Sequence, residues 1–473
     1  MIEGLKPYPE YQPTDSKWLG DVPAEWDVVP LGRLLIQRKE KNDPIRTQDT
    51  LSLTLNRGVI PYSEKTGGGN KAKEDLSAYM LAYPGDIVVN SMNVVVGSVG
   101  LSKYFGAVSP VYYMLRPRDS DDLVEFYDAV FQDSVFQKSL FGLGNGIMVI
   151  ESKSSGKLNT IRMRIPMWKL RRVQMVRPNP EEQAAIVRFL DHANRKIDGF
   201  IRAKRKLIKL LNEQKRAIIH RAVTRGLDPD VPMKPSGLDW LGEIPAHWEV
   251  LRAKYVFREF DARSTTGNET HLSMSQKLGL VPSDMVQSTL RSDSYVGGKL
   301  CQPGDLVLNR LKAHLGVFAV AKQGGVISPD YSVFRMRREV DPDYFESVLK
   351  SPACRRELRV RAKGIVEGFW RLYTDDFYDI RLPVPPLDEQ EAIMRSIHES
   401  TDELVSAISR TEREISLMQE YRTRLTADVV TGKLDVREAA DQLPDEVPDP
   451  VIPEDEDPDF VEEDESMTEE EEA

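Results

Sequence analysis

Trp18-Leu19-Gly20-Asp21-Val22-Pro23-Ala24-Glu25-Trp26 returns 222 residues later as Trp240-Leu241-Gly242-Glu243-Ile244-Pro245-Ala246-His247-Trp248, with six of nine positions identical. Working outward, Pro84-Gly85-Asp86-Ile87-Val88-Val89-Asn90 returns as Pro303-Gly304-Asp305-Leu306-Val307-Leu308-Asn309 at an offset of 219, which Gly97/Gly316, Ser109-Pro110/Ser328-Pro329 and Tyr112/Tyr331 keep. Glu182-Gln183 returns as Glu389-Gln390, and Val223-Thr224 with Leu227-Asp228 as Val430-Thr431 with Leu434-Asp435, both at 207. The order is preserved throughout, and the offset falls because the first copy holds extra residues, mostly around 162–176. An internal repeat decides architecture before any local pattern does, so the chain is two copies of one unit.

Each copy reads as a globular part followed by a long helix. Short β-branched runs at 86–90, 108–115, 305–308 and 331–336 lie between Pro-Gly and Gly-rich turns, which predicts strands. In Pro-Gly-Asp the proline fixes φ, the glycine permits the turn and the carboxylate closes it, so Asp86 and Asp305 read as structural. The Phe141-Gly142-Leu143-Gly144-Asn145-Gly146 stretch lacks the Lys-Ser/Thr ending of a phosphate loop and reads as a plain loop.

Residues 181–223 contain no proline and carry Ile186, Leu190, Ala193, Ile197, Phe200, Leu207, Leu211 and Ile218 mainly in steps of four and three, a coiled-coil seam. Residues 388–430 offer Ile393, Ile397, Leu404, Ile408, Ile415, Met418, Leu425 and Val429. Both follow prolines and open with acidic residues, the signature of a helix start. The first has 11 basic and 5 acidic residues, the second 5 and 10, so the two are electrostatic complements. Gly199 is a weak point in the first, marking a bend or a close approach. Whether part of the apolar stripe faces another chain is open at this stage.

With 473 residues and 40% hydrophobic residues the chain is long enough for two or three domains with sizeable cores. No apolar run reaches membrane-helix length and the start has no signal-peptide pattern, so a cytoplasmic protein with no membrane contact is expected. Two cysteines, Cys301 and Cys354, make no disulfide framework or four-cysteine metal site. The net charge of −11 hides an asymmetry: residues 438–473 hold 18 acidic residues and no Lys or Arg, leaving 57 acidic against 64 basic in the rest. The remainder is thus able to bind phosphate, while 438–473 reads as an acidic disordered tail, a solubilising extension or else a DNA-mimicking or partner-docking segment.

The reacting groups of the common enzymes are missing. The six histidines have no metal-ligand spacing, and there is no Walker loop, no Gly-x-Ser-x-Gly elbow and no Asn/Asp-Pro-Pro-aromatic methylation box. Glu151-Ser152-Lys153 is a faint echo of a nuclease carboxylate–lysine set. A non-catalytic chain is expected.

The twofold Trp-Leu-Gly-x-[Ile/Val]-Pro-x-x-Trp openings, the Pro-Gly-Asp strands and the Pro-x-x-x-Glu-Gln helix starts resemble the specificity subunits of type I restriction-modification enzymes over about residues 8–437. The resemblance implies an α+β fold: two similar globular α/β target recognition domains separated by two long antiparallel coiled-coil helices, a pseudo-twofold repeat. It places the first recognition domain at 1–178, the first spacer helix at 179–226, the second domain at 227–384 and the second helix at 385–437. It further implies a bipartite double-stranded DNA target, two methyltransferase subunits held on the helices and motor-nuclease subunits joined through them. No cofactor is expected in this chain; S-adenosylmethionine, ATP and Mg belong on the partners. Departures are the longer link before Pro178, Pro178-Asn179 where the second copy has Pro385-Pro386, and the acidic tail. The other readings are a nuclease with an unrecognised site and a coiled-coil scaffold that binds no DNA.

Two readers of one frame should share scaffold residues and differ where they read. After Asn90 the first copy continues Ser91-Met92-Asn93, and after Asn309 the second continues Arg310-Leu311-Lys312. Arg310 and Lys312 suit guanine or phosphate and Asn93 suits adenine. Lys71 and Lys73 beside Gly67-Gly68-Gly69, and Arg361 and Lys363 before Gly364, are phosphate candidates. Ordinary surface charge is the alternative for each. Ile186, Leu190, Ile197, Leu207, Leu211, Ile393, Ile397, Leu404, Ile408 and Leu425 are the candidates for helix pairing and partner contact.

Overall fold

The computed structural model describes residues 5–55, 57–65, 75–145, 150–151, 158–159, 164–276, 278–286, 295–364 and 370–444. The chain divides into two compact units: the first takes residues up to Ala203 and those from Glu414 onward, the second Lys204–Arg413.

In the first unit a four-stranded antiparallel sheet runs in the order Leu35–Arg38, Tyr112–Pro117, Ile87–Asn90, Val99–Leu101. Its centre follows from the turn that precedes it. Gly85 has φ +84°, Asp86 Oδ2 accepts the Tyr83 N–H at 3.0 Å, and the Arg38 guanidinium caps the carboxylate at 3.1 Å while lying over the Tyr83 ring. Burial lifts the Asp86 carboxyl above its ordinary range against the pull of these donors. The strand that follows is buried on both faces: Ile87 and Val89 enter the main core and Val88 meets Met114 in a smaller one, as period-two alternation requires. A pair Asp27–Pro30/Gln174–Arg177 lies beside the main core.

The second unit repeats this on its own residues, with sheet order Phe257–Glu259, Tyr331–Met336, Leu306–Asn309, Phe318–Val320 and a pair Glu249–Arg252/Arg381–Val384. Leu306 and Leu308 enter its main core and Val307 the smaller one. Asp305 accepts the Gln302 N–H at 2.8 Å and binds Arg335 at 2.9 Å. Both repeated aspartates are therefore structural, each closing a turn and neutralised by an arginine. The expected strand at 108–115 is two strands of different sheets, Gly106–Val108 and Tyr112–Pro117, because Pro110 has no N–H and Tyr112 N–H turns back to the Ser109 carbonyl.

The long helices are Pro180–Arg225 and Leu387–Val430. The first is continuous through Gly199. In the first unit Ile186, Leu190 and Ala193 share a core with Leu425, Val429 and Val430, and Arg422 pairs with Asp198. In the second unit Ala222 and Val223 share a core with Ile393 and Ile397. Within each unit the start of one helix lies with the end of the other, an antiparallel pairing. The seam is densest at the helix ends: Ile197 is buried, Leu211, Leu404 and Ile408 are half-buried, and Leu207 is 40% exposed. Leu207 is thus not sealed in the pair.

Residues 438–441, expected in a disordered tail, are instead part of the first unit. Val436 and Ala440 are buried in the first core and Arg437–Asp441 is a helix, because the Asp435–Arg437 pair and Tyr8 under the Arg437 guanidinium hold it there. Residues 445–473 lie outside the described residues. Among the described residues no helix is long and apolar enough to cross a membrane, and no three His, Cys, Asp or Glu gather as metal ligands.

Candidate nucleic-acid interface

The repeated residues hold the frame. Gln183 Oε1 accepts the Leu123 N–H at 2.8 Å and its amide donates to Pro178 O and Asp122; Gln390 Oε1 accepts the Asp341 N–H at 2.9 Å and its amide donates to Pro385 O. Each glutamine ties the start of a long helix to the start of the helix after the sheet, Val124–Gln132 or Pro342–Lys350. The neighbouring glutamates secure the tryptophan openings: Glu389 accepts from Trp248 Nε1 at 3.0 Å and meets His247 Nε2 at 2.7 Å. In the first unit Glu182 takes the Tyr8 hydroxyl at 2.7 Å instead, and Trp26 Nε1 has no partner.

Sequence reasoning missed the glycines that end the long helices. Gly226 and Gly432 have φ +73° and +74° and lie against Pro245/Trp248 and Pro23/Trp26 respectively. The signal was present in Val-Thr-Arg-Gly-Leu-Asp and Val-Thr-Gly-Lys-Leu-Asp, but the glycines sit one place apart inside matched flanks. Tyr11 adds a bond from its hydroxyl to Gly432 O at 3.1 Å, so the segment after the second helix is fixed to the first unit's opening.

On this frame the paired Asn90 and Asn309 also prove structural. Asn90 Oδ1 accepts the Met92 N–H at 3.0 Å; Asn309 Oδ1 accepts those of Leu311 and Lys312 at 3.1 and 3.3 Å. Asn93 and Lys312 then occupy one backbone position, with φ/ψ of −124°/12° and −115°/15°, each opening a single 3-10 turn that closes on Gly97 or Gly316 in the left-handed region. A Cβ on Gly97 would lie 3.2 Å from Gln137 Nε2, and one on Gly316 3.4 Å from Arg355 Nε. The same loop therefore opens on Asn93 in one unit and Lys312 in the other, while its closing glycine is backed by Gln137, whose amide donates to Phe131 O at 2.9 Å, or by Arg355.

Around the second unit's loop stand Arg310 and Arg371, which share the Asp330 carboxylate at 3.8 and 3.6 Å, and Arg355 and Arg359 near His314; Arg355, Arg359 and Arg371 escaped the sequence reading. Arg310 donates through Nε to Asp330 O at 2.7 Å, while Leu372 N–H donates to the Arg310 carbonyl, tying the loop to the residue beside the Lys363/Arg371 bridge. Lys363 pairs with Asp376 at 2.6 Å and Arg361 with Glu357 at 3.2 Å, so both already have a carboxylate. Burial, then Arg359 and Arg355, hold the His314 imidazole below its ordinary range, which leaves it uncharged near neutral pH. Lys71, Lys73 and Lys153 lie outside the described residues, as does the side chain of Glu151.

No family model matches the chain. It is 23% identical over 437 residues to the type I restriction enzyme MjaVIII specificity subunit of Methanocaldococcus jannaschii, covering 88% of this chain and 94% of that one. The chain is similar over most of its length to type I restriction enzyme specificity subunits. The putative type I restriction enzyme MjaX specificity subunit of the same organism is 22% identical over 442 residues, covering 89% of this chain and 96% of its own. A solved chain from work on "complex assembly and conformational transition of the type I R-M system" has the same fold, with a TM-score of 0.57 at 14% identity over 86% of this chain and 98% of that one. The likeness to these specificity subunits spans both units and both long helices, so it concerns the whole repeat rather than one half.

Proposed function

We propose that the chain is the non-catalytic DNA-specificity subunit of a type I restriction-modification complex, each unit reading one half of a split, asymmetric target. The observation that carries this reading is the matched loop: one backbone frame, built twice from shared residues, bears Asn93 in one unit and Lys312 in the other. Amides suit adenine and cations suit guanine or phosphate, so two such loops read two different half-sites. Two methyltransferase subunits dock on the long helices, whose exposed apolar residues include Phe200 and Leu417 in the first unit and Leu207, Leu210 and Val405 in the second. Motor-nuclease subunits join through them. S-adenosylmethionine, ATP and Mg act on those partners, and the chain itself acts in the cytoplasm.

Gel-shift titration across salt, with and without the methyltransferase subunit, tests this. Sequence-selective binding that strengthens with the partner and weakens steeply with salt is expected. DNA cleavage or methylation by the chain alone, or no DNA binding in either condition, contradicts it.

A further inference from the structure

The short helix Met167–Leu170 of the first unit holds up a tryptophan that the core does not take. Leu170 is buried, but Trp168 is 54% exposed, with Lys169 Nζ 5.5 Å and the Arg172 guanidinium 5.3 Å from its ring. Residues 164–172 carry Arg164, Lys169, Arg171 and Arg172 and no acidic residue, and none of the four pairs with a carboxylate among the described residues. Lys169 gives its ammonium to the neutral Asn145 Oδ1 at 2.8 Å, which leaves its charge uncompensated. This turn is tied to the loop that opens on Asn93. Ile165 N–H donates to the Ser91 carbonyl at 2.8 Å, and Ile165 O accepts the Tyr113 hydroxyl at 3.0 Å. Three residues, at most about 11 Å of chain, separate that anchor from Trp168.

The second unit builds the same turn with the opposite charge. Leu372 N–H donates to the Arg310 carbonyl at 2.9 Å, and Ile380 O accepts the Ala253 N–H as Val173 O accepts that of Leu31. At the offset of 207 that Ile165/Leu372 and Val173/Ile380 keep, Trp168, Lys169 and Arg172 become Asp375, Asp376 and Asp379. Asp376 takes Lys363 and Asp379 takes Arg252, so two of these charges are used within the unit. One frame thus carries a cationic, aromatic face in the first unit and an acidic one in the second.

We infer that Trp168, Lys169 and Arg172 form a second DNA contact of the first unit, on the phosphate backbone beside the half-site whose bases the Asn93 loop reads. A phosphodiester only accepts hydrogen bonds and carries one negative charge, so Lys169 and Arg172 each neutralise one phosphate. The indole N–H of Trp168, which has no acceptor among the described residues, donates to a third oxygen while its ring covers the adjoining sugar. Contacts of this kind fix the register of the duplex and carry no sequence information themselves. The inference rests on the DNA-specificity reading and adds an asymmetry to it: the second unit, with Asp375, Asp376 and Asp379 in the same places, has no such hold on its half-site.

The affinity of the full chain with its methyltransferase subunit for target DNA, measured across salt, tests this. Lys169→Gln combined with Arg172→Gln should lower the salt slope by about 2 and weaken binding by about tenfold or more near about 0.1 M salt, for target and non-target sequences alike. The methylated motif should not change. Trp168→Phe should weaken binding about three- to tenfold at an unchanged slope, because it removes an uncharged donor. Lys103→Gln is the control: its exposed turn meets Gly85 and Asp86 at the other end of the strand Ile87–Asn90, and the slope should stay in place. A slope that the double variant leaves intact, an equal fall per charge in Lys103→Gln, or a changed methylated motif overturns the inference and leaves the function standing. So does a lowered thermal melt with unaltered binding, which would make the cluster a structural surface. No DNA binding by the unaltered complex overturns both.

Discussion

Gly432 shows how closely the end of the second helix is fitted to the opening of the first unit. A Cβ there would lie 2.3 Å from Pro23 Cδ at a φ of +74°, while at Gly226 the nearest atoms are a carboxylate oxygen at 3.2 Å and Trp248 at 3.3 Å. Gly432→Ala should therefore cost about 2–4 kcal/mol, from overpacking and left-handed strain together, and Gly226→Ala about 1–2 kcal/mol. Urea unfolding orders them, and equal costs would mean that the packing at Pro23 relaxes freely. Asp128 sets a pH dependence. Its Oδ1 has no partner, and burial raises its carboxyl to about 7, the Gln132 bond pulling the other way. The folded state thus holds this proton more tightly than the unfolded one, so its contribution is present below the ordinary carboxylate range and is lost as pH rises from about 4 through about 7. Asp128→Asn should flatten that decline, recovering on the order of 1–3 kcal/mol at pH 8 after discounting for partial solvent contact. Urea midpoints measured from pH 4 to 8 check it. For reading, Lys312→Ala separates two chemistries. If Lys312 binds phosphate, the substitution lowers the salt slope of binding by about 1 for all sequences; if it bonds a base edge, the cost is about 1–3 kcal/mol at one position only. Affinity measured across salt and across single-base changes distinguishes them.

At the scale of elements, the first long helix, expected over 179–226, was legible almost to the residue, whereas the second, expected over 385–437, ends at Val430 ahead of the turn at Gly432. What the spacing does not carry is which stretch of a stripe is covered. Ile393 is buried and Leu207 is not, although both fit the seam. Ile393→Asp buries an unpaired charge and should destabilise by more than about 3 kcal/mol. Leu207→Asp should leave the melt within about 1 kcal/mol and weaken methyltransferase binding instead. A calorimetric melt beside a binding titration compares them. The tail illustrates a second gap: composition changes at 438, but Ala440 is held by packing against residues far away in sequence, which charge counting does not register. Deleting 445–473 should leave the melt unchanged, and deleting 438–473 should lower it.

At the scale of the whole molecule, the repeat announced the architecture because shared residues do shared work: Asp86 and Asp305 close the same turn, Asn90 and Asn309 the next, and Gln183 and Gln390 the same helix junction. The proposed reading surface was only half legible. Asn93 and Lys312 follow from aligned sequence, but Arg355 and Arg359 sit on a helix more than forty residues away and Arg371 comes from a further segment, brought to the loop by folding alone. The central claim is that each unit reads its own half-site. Exchanging residues 238–384 for the equivalent part of a relative, then sequencing the methylome of cells carrying the complex, tests it most directly. One half of the methylated motif should change and the other half persist; a change in both halves, or in neither, would contradict the account.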